Sequence, residues 1–166
     1  MRLFDIGNVN QVTGIACFAL AAGACALAAR RGGRAWRTLA WMQAVFCLEI
    51  VVNARHRLHN VVDDMLRDHG WYAQRTPWQL GLLTVVAIVA VVCVPIAWRI
   101  ARGDPLARVA LAASLVVAAS MTVEAVSLHV VDGFMYAGGA MLLPVVVGWI
   151  VASAVVIAAA LGATRR

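Results

Sequence analysis

The chain has 166 residues, 63% hydrophobic and only 13% charged, with a mean hydropathy of +0.85. Soluble domains carry nearly twice that share of charge, and so small a globule lacks the interior to bury this much apolar surface, which excludes an ordinary soluble domain. The net charge of +6 comes from arginine without lysine, and the arginines gather at the ends of apolar runs, where the positive-inside bias places them. A nucleic-acid groove needs a basic polar surface interleaved with aromatics, so no nucleic-acid partner is expected.

Five apolar runs predict an all-α integral membrane protein, a five-helix transmembrane bundle forming one domain over residues 1–166, with spans near 9–29, 38–62, 80–100, 106–131 and 141–161. Each reaches the roughly 20 residues that cross a hydrocarbon core of about 30 Å.

The first span precedes the cluster Arg30, Arg31, Arg34 and Arg37. Arginines after an apolar run, rather than before it, are the reverse of a cleavable secretory signal. Along this span Ala16, Ala19, Gly23 and Ala26 form a small-residue stripe, and Gly148 with Ala152 repeats it on the fifth. Such stripes let helices approach closely, and they suggest a homo-oligomer as well as packing within the chain.

The second span carries the densest chemistry. Taken as an unbroken helix advancing about 100° per residue, it places Glu49, Asn53, His56, His59, Asn60, Asp63 and Arg67 on one face. A polar stripe of this kind is costly against lipid. Counted from Thr38, Glu49 falls near mid-membrane and His56 toward the far interface. Beyond it, Gly70 reads as a helix terminator, with His69 in a loop. Trp71, Tyr72 and Trp78 supply interfacial aromatics.

The third span ends in Arg99 and Arg102. The fourth repeats the pattern of the second, with Glu124 and His129 toward its far end and Asp132 beyond, although His129 lies about 140° from Glu124. Glu49 and Glu124 are the only glutamates in the chain. With five spans, the 30–37 and 99–108 connections and the C-terminus share one side, and their arginine content makes it cytoplasmic. That orientation puts the N-terminus outside and the Glu/His groups toward the periplasmic side of a bacterial inner membrane.

Carboxylates with imidazoles are ligands for Fe, Zn or Cu(II), and helical bundles build metal sites from such groups on facing helices. Glu49, His56, His59, Asp63, Glu124 and His129 are therefore the candidate metal ligands. Glu49 and Glu124 are also candidate catalytic groups, acting as ligand or proton acceptor. The leading expectation is a metal-dependent membrane enzyme, hydrolase or oxidoreductase, acting on a lipidic or amphipathic substrate. One alternative is a haem b electron carrier with bis-His ligation from His56 or His59 and His129. Another is a proton-coupled carrier or subunit using mid-membrane glutamates. The spacings present, HxxH and ExxxxH, match neither the HxxxH and HxxHH boxes of desaturases nor the paired glutamates of CAAX-type intramembrane proteases. Cys17, Cys25, Cys47 and Cys93 form no CxxC pair and read as small apolar fillers.

Overall fold

The computed structural model describes residues 9–31, 33–53, 57, 60–61, 64–65, 67–70, 75–126 and 144–166, the side chains of 75–76, 78–79, 82 and 124–126 excepted. The described residues form five long helices and no strand: α1 (Val9–Ala29), α2 (Arg34–Val52), α3 (Arg75–Ile100), α4 (Pro105–Val126) and α5 (Pro144–Thr164). All five are long and apolar enough to cross a membrane. Lipid is the natural cover for their outward faces, because large apolar side chains such as Leu20, Leu48, Trp41, Val91, Val116 and Val151 lie exposed along them.

The 30–33 and 101–104 connections and the chain end after α5 come together around one recess. This defines an arginine-rich end of the bundle. Helices α2 and α4 start there and run away from it in parallel; α1, α3 and α5 run toward it. Helix α1 packs against α2 and α5, and α4 against α5, with lighter contact between α2 and α4.

Near the arginine-rich end the core is built largely from small residues: Ala21, Ala24 and Ala28 of α1, Ala107 and Ala110 of α4, Ala159 and Ala160 of α5, closed over by Trp36 and Leu39 of α2. Small side chains bring backbones close, which maximises dispersion contact where lipid and protein interior are equally apolar. Toward the opposite end the core becomes aromatic. Phe18 stands edge-on to Phe46 with ring centroids 5.5 Å apart, and 5.9 Å from the Trp149 ring. Gly14 makes room for that indole, since a Cβ added there would lie 3.0 Å from two of its ring carbons.

Helix α3 stands apart. No residue of its apolar window is buried, and its hold on the bundle is at its end, where Ala97 packs against the small-residue core and Ala101, just past the helix, is buried in it. A helix apolar on every side needs no particular face against its neighbours when lipid surrounds it.

Two features depart from the sequence reading. The small-residue stripe of α1 is exposed at Ala16, Ala19, Gly23 and Ala26, while Gly14, Phe18, Ala21, Ala24, Cys25 and Ala28 face inward. On α5, Ala152 is buried, but Gly148 is exposed and open to added bulk. The second departure is in α2, which begins at Arg34 and ends at Val52, ten residues short of the expected end at 62. Asn53 stops it by adopting the left-handed conformation, φ 53° and ψ 43°, and returning its N–H to the Glu49 carbonyl. Asparagine tolerates this region better than most residues. Beyond it, the Arg57 N–H donates to the Asn53 carbonyl at 3.2 Å. Gly70 terminates the following helical stretch as expected, with φ 68° and its N–H on the Arg67 carbonyl. His69 is exposed, its Nδ1 2.8 Å from the Met65 carbonyl oxygen.

Candidate functional site

The two glutamate-bearing helices are locked to each other by polar contacts that residue spacing alone did not reveal. At the arginine-rich end, the Trp36 indole N–H donates to Asp104 Oδ2 at 2.8 Å. The other carboxylate oxygen of Asp104 accepts from the Leu106 and Ala107 backbone N–H groups at 2.9 and 3.2 Å. Asp104 is therefore the N-cap of α4, satisfying two of its orphan donors, and it ties that cap to the first turn of α2.

Midway along the helices, Gln43 Nε2 donates to Ser114 Oγ at 2.8 Å, and the serine hydroxyl donates onward to the Ala110 carbonyl at 2.8 Å. Gln43 and Ser114 are both fully buried. Gln43 Oε1 and the buried Ser153 Oγ of α5 have no hydrogen-bond partner among the described residues. The signal for these residues was present in the sequence, as single polar side chains within otherwise apolar runs. Asp104 directly before Pro105 is a helix-start signature.

From this register the heights of the glutamates follow. Glu49 lies six residues beyond Gln43, about 9 Å, and Glu124 ten beyond Ser114, about 15 Å, at 1.5 Å per residue. They differ by about one helical turn. Glu49 stands in the last turn of α2, close to its end remote from the arginines, and Glu124 lies near the end of the described part of α4. Helix C-termini carry partial negative charge that disfavours a carboxylate by about 0.3–1 kcal/mol, so the position of Glu49 does not serve the stability of α2.

Helix α1 closes over this end of α2. Gln11 Nε2 donates to the Ile50 carbonyl in the last turn of α2 at 3.0 Å. The Cys47 thiol points at the Ile15 carbonyl at 3.7 Å. The half-buried Glu49 thus lies in a turn held by two contacts from α1.

Of the six candidate ligands, Glu49 is the one whose side chain is described, and Glu124 is placed by its backbone in α4. His56, His59, Asp63 and His129 lie outside the described residues. Among the described residues no group of three or more His, Cys, Asp and Glu is near enough to hold a metal. The single-face argument joining Glu49 to His56, His59 and Asp63 assumed an unbroken helix, and its angular phase does not carry across Asn53. All four cysteines are free thiols; Cys25 is buried and Cys93 exposed.

No family model matches the chain, and neither a curated protein nor a solved structure matches it.

Proposed function

We propose that this chain is a membrane-embedded metal-binding protein, with its site at the end of the bundle remote from the arginines. The supporting observation is the parallel, in-register pairing of α2 and α4, which brings Glu49 and Glu124 to one end of the bundle within about one helical turn in height. The chain leaves α2 toward His56, His59 and Asp63, and leaves α4 toward His129. On this reading those ligands gather with the two glutamates at that end.

On this reading the ion is Fe, Zn or Cu, and it polarises water or activates oxygen, with Glu49 or Glu124 as ligand or proton acceptor. A lipidic or amphipathic substrate fits a site reached from the bilayer or its rim. The arginine-rich end faces the cytoplasm of a bacterial inner membrane by the positive-inside bias, which sets the N-terminus and the site on the periplasmic side. The position of Glu49 in the last turn of its helix favours a rim site over a mid-bilayer proton relay.

The test is elemental analysis and an absorption spectrum of the purified protein, wild type beside His56→Ala and Glu124→Ala. A stoichiometric metal that both variants lose is the expected result. A Soret band would replace the reading with haem b ligated by His56 or His59 and His129. Wild-type protein, expressed with Fe, Zn and Cu supplied and purified without chelator, that holds neither metal nor haem would overturn it.

A further inference from the structure

The arginine-rich end holds a recess of about 670 Å3 between the starts of α2 and α4 and the end of α5. Arg31, Arg34 and Arg166 line it, together with Trp36 and Asp104. None of the three arginines has an ion-pair partner among the described residues. The Asp104 carboxylate beside them directs its oxygens to the Leu106 and Ala107 amides and to the Trp36 indole, and its single negative charge leaves the three guanidinium groups in excess.

The two helices that open onto the recess differ in a telling way. Helix α4 has a carboxylate cap; α2 begins at Gly33 with no side-chain cap at all. The first-turn N–H groups of α2, on Arg34, Ala35 and Trp36, belong to residues that line the recess, and they add donors and partial positive charge to the three guanidinium groups. Planar guanidinium forks match phosphate oxygens two at a time. The recess is many times the roughly 30 Å3 that one water molecule occupies, so it has room for an organic headgroup and not merely an ion.

We infer that this recess binds a phosphate group. Its place at the end of membrane-spanning helices puts it level with lipid headgroups, where anionic phospholipid is the most abundant source of that chemistry and juxtamembrane arginines are drawn to it. The inference stands apart from the metal reading: the two sites lie at opposite ends of the bundle, and failure of either leaves the other untouched.

The experiment uses the full chain in detergent, with thermal stability and native mass spectrometry as readouts. The probes are phosphatidylglycerol, phosphatidylcholine and inorganic phosphate. Two double variants remove equal charge from the same end: Arg31→Gln with Arg34→Gln inside the recess, and Arg99→Gln with Arg102→Gln outside it. Phosphatidylglycerol should bind and stabilise the wild type and the outer variant. The recess variant should bind about tenfold more weakly or worse, as expected on losing charge-assisted hydrogen bonds. Phosphatidylcholine, whose phosphate is offset by a cationic headgroup, should bind less well than phosphatidylglycerol. If inorganic phosphate alone reproduces the stabilisation, with the same dependence on Arg31 and Arg34, the phosphate site holds and its ligand is the free anion. Equal loss in both double variants would reduce the effect to diffuse surface charge and overturn the inference, as would a wild type that responds to neither phosphatidylglycerol nor phosphate. Should the recess double variant lose its helical circular dichroism, Arg166→Gln, beyond the end of α5, supplies the same comparison.

Discussion

Gln43 and Ser114 meet at 2.8 Å, each nine residues into its own helix, Gln43 counted from Arg34 and Ser114 from Pro105. A hydrogen bond between side chains at equal depth on two parallel helices fixes their axial register. One residue of slip would separate the pair by about 1.5 Å, and an amide stranded in an apolar interior has no water to turn to.

Removing one partner should therefore cost more than removing both. Ser114→Ala leaves the Gln43 amide buried and unmatched and should destabilise the bundle by about 1–3 kcal/mol, whereas Gln43→Leu combined with Ser114→Ala should recover much of that loss. Membrane-protein cycles of this type average about 0.6 kcal/mol of coupling. Reversible unfolding in mixed micelles across the four sequences measures it, and additive single effects would show that the pair does not set the register.

Ser153 makes the opposite prediction. Its hydroxyl is buried without a partner among the described residues, so Ser153→Ala removes an unsatisfied group at almost no change in volume. A gain of about 1 kcal/mol in the same assay is expected; a loss would mean that the hydroxyl is bonded in the assembled protein.

Two glycines on α1 should respond in contrary directions. Gly14→Ala sets a methyl 3.0 Å from the Trp149 ring and should destabilise by about 1–3 kcal/mol through overpacking. Gly23→Ala meets nothing within 4 Å and should gain up to about 1 kcal/mol from helix propensity. Thermal melts of the two variants side by side decide it, and a Gly14→Ala protein as stable as wild type would contradict the close approach of α1 and α5.

Asn53 tests the link between backbone and site. Asn53→Gly keeps access to positive φ and should be close to neutral, while Asn53→Leu meets a penalty of about 1–2 kcal/mol in the left-handed region. If the break orients the chain that follows, Asn53→Leu should also lower metal content relative to Asn53→Gly. Unfolding and elemental analysis on the same preparations separate the two effects.

Asp104 has two functions, and two substitutions pull them apart. Asp104→Asn keeps an oxygen for the α4 amides and is a good N-cap, but it must give up either that cap or the Trp36 indole if its NH2 faces the tryptophan. Asp104→Ala loses both and should cost about 1–2 kcal/mol more than a simple surface change. Trp36 emission should shift in both variants, and stability should fall further in the alanine one.

The helices were legible in the sequence because bilayer thickness demands long apolar runs, and this chain has five. Other features were hidden for particular physical reasons. In α1 nearly every residue is apolar or small, so spacing located a stripe at Ala16, Ala19, Gly23 and Ala26 but could not say whether it faced protein or lipid. In α2 the polar periodicity from Glu49 to Arg67 continues through Asn53, and a pattern of residue types does not register one positive φ. That single torsion ends the helix ten residues early and carries Glu49 from the middle of the span to its last turn. The ligand types were readable. Whether they converge depends on the chain beyond Asn53 and Val126.

Helix α3 has few contacts to defend, yet the bundle depends on its presence. Two consecutive membrane crossings must run in opposite directions, so α2 and α4 can be parallel only if one crossing separates them. Helix α3 supplies that parity. Its contribution is topological, which explains why no residue of its apolar window is buried. Away from Ala97 and its end, apolar sequence should drift there with little consequence, whereas deleting the helix would send α4 across the membrane the other way and part Glu124 from Glu49 by the thickness of the bilayer.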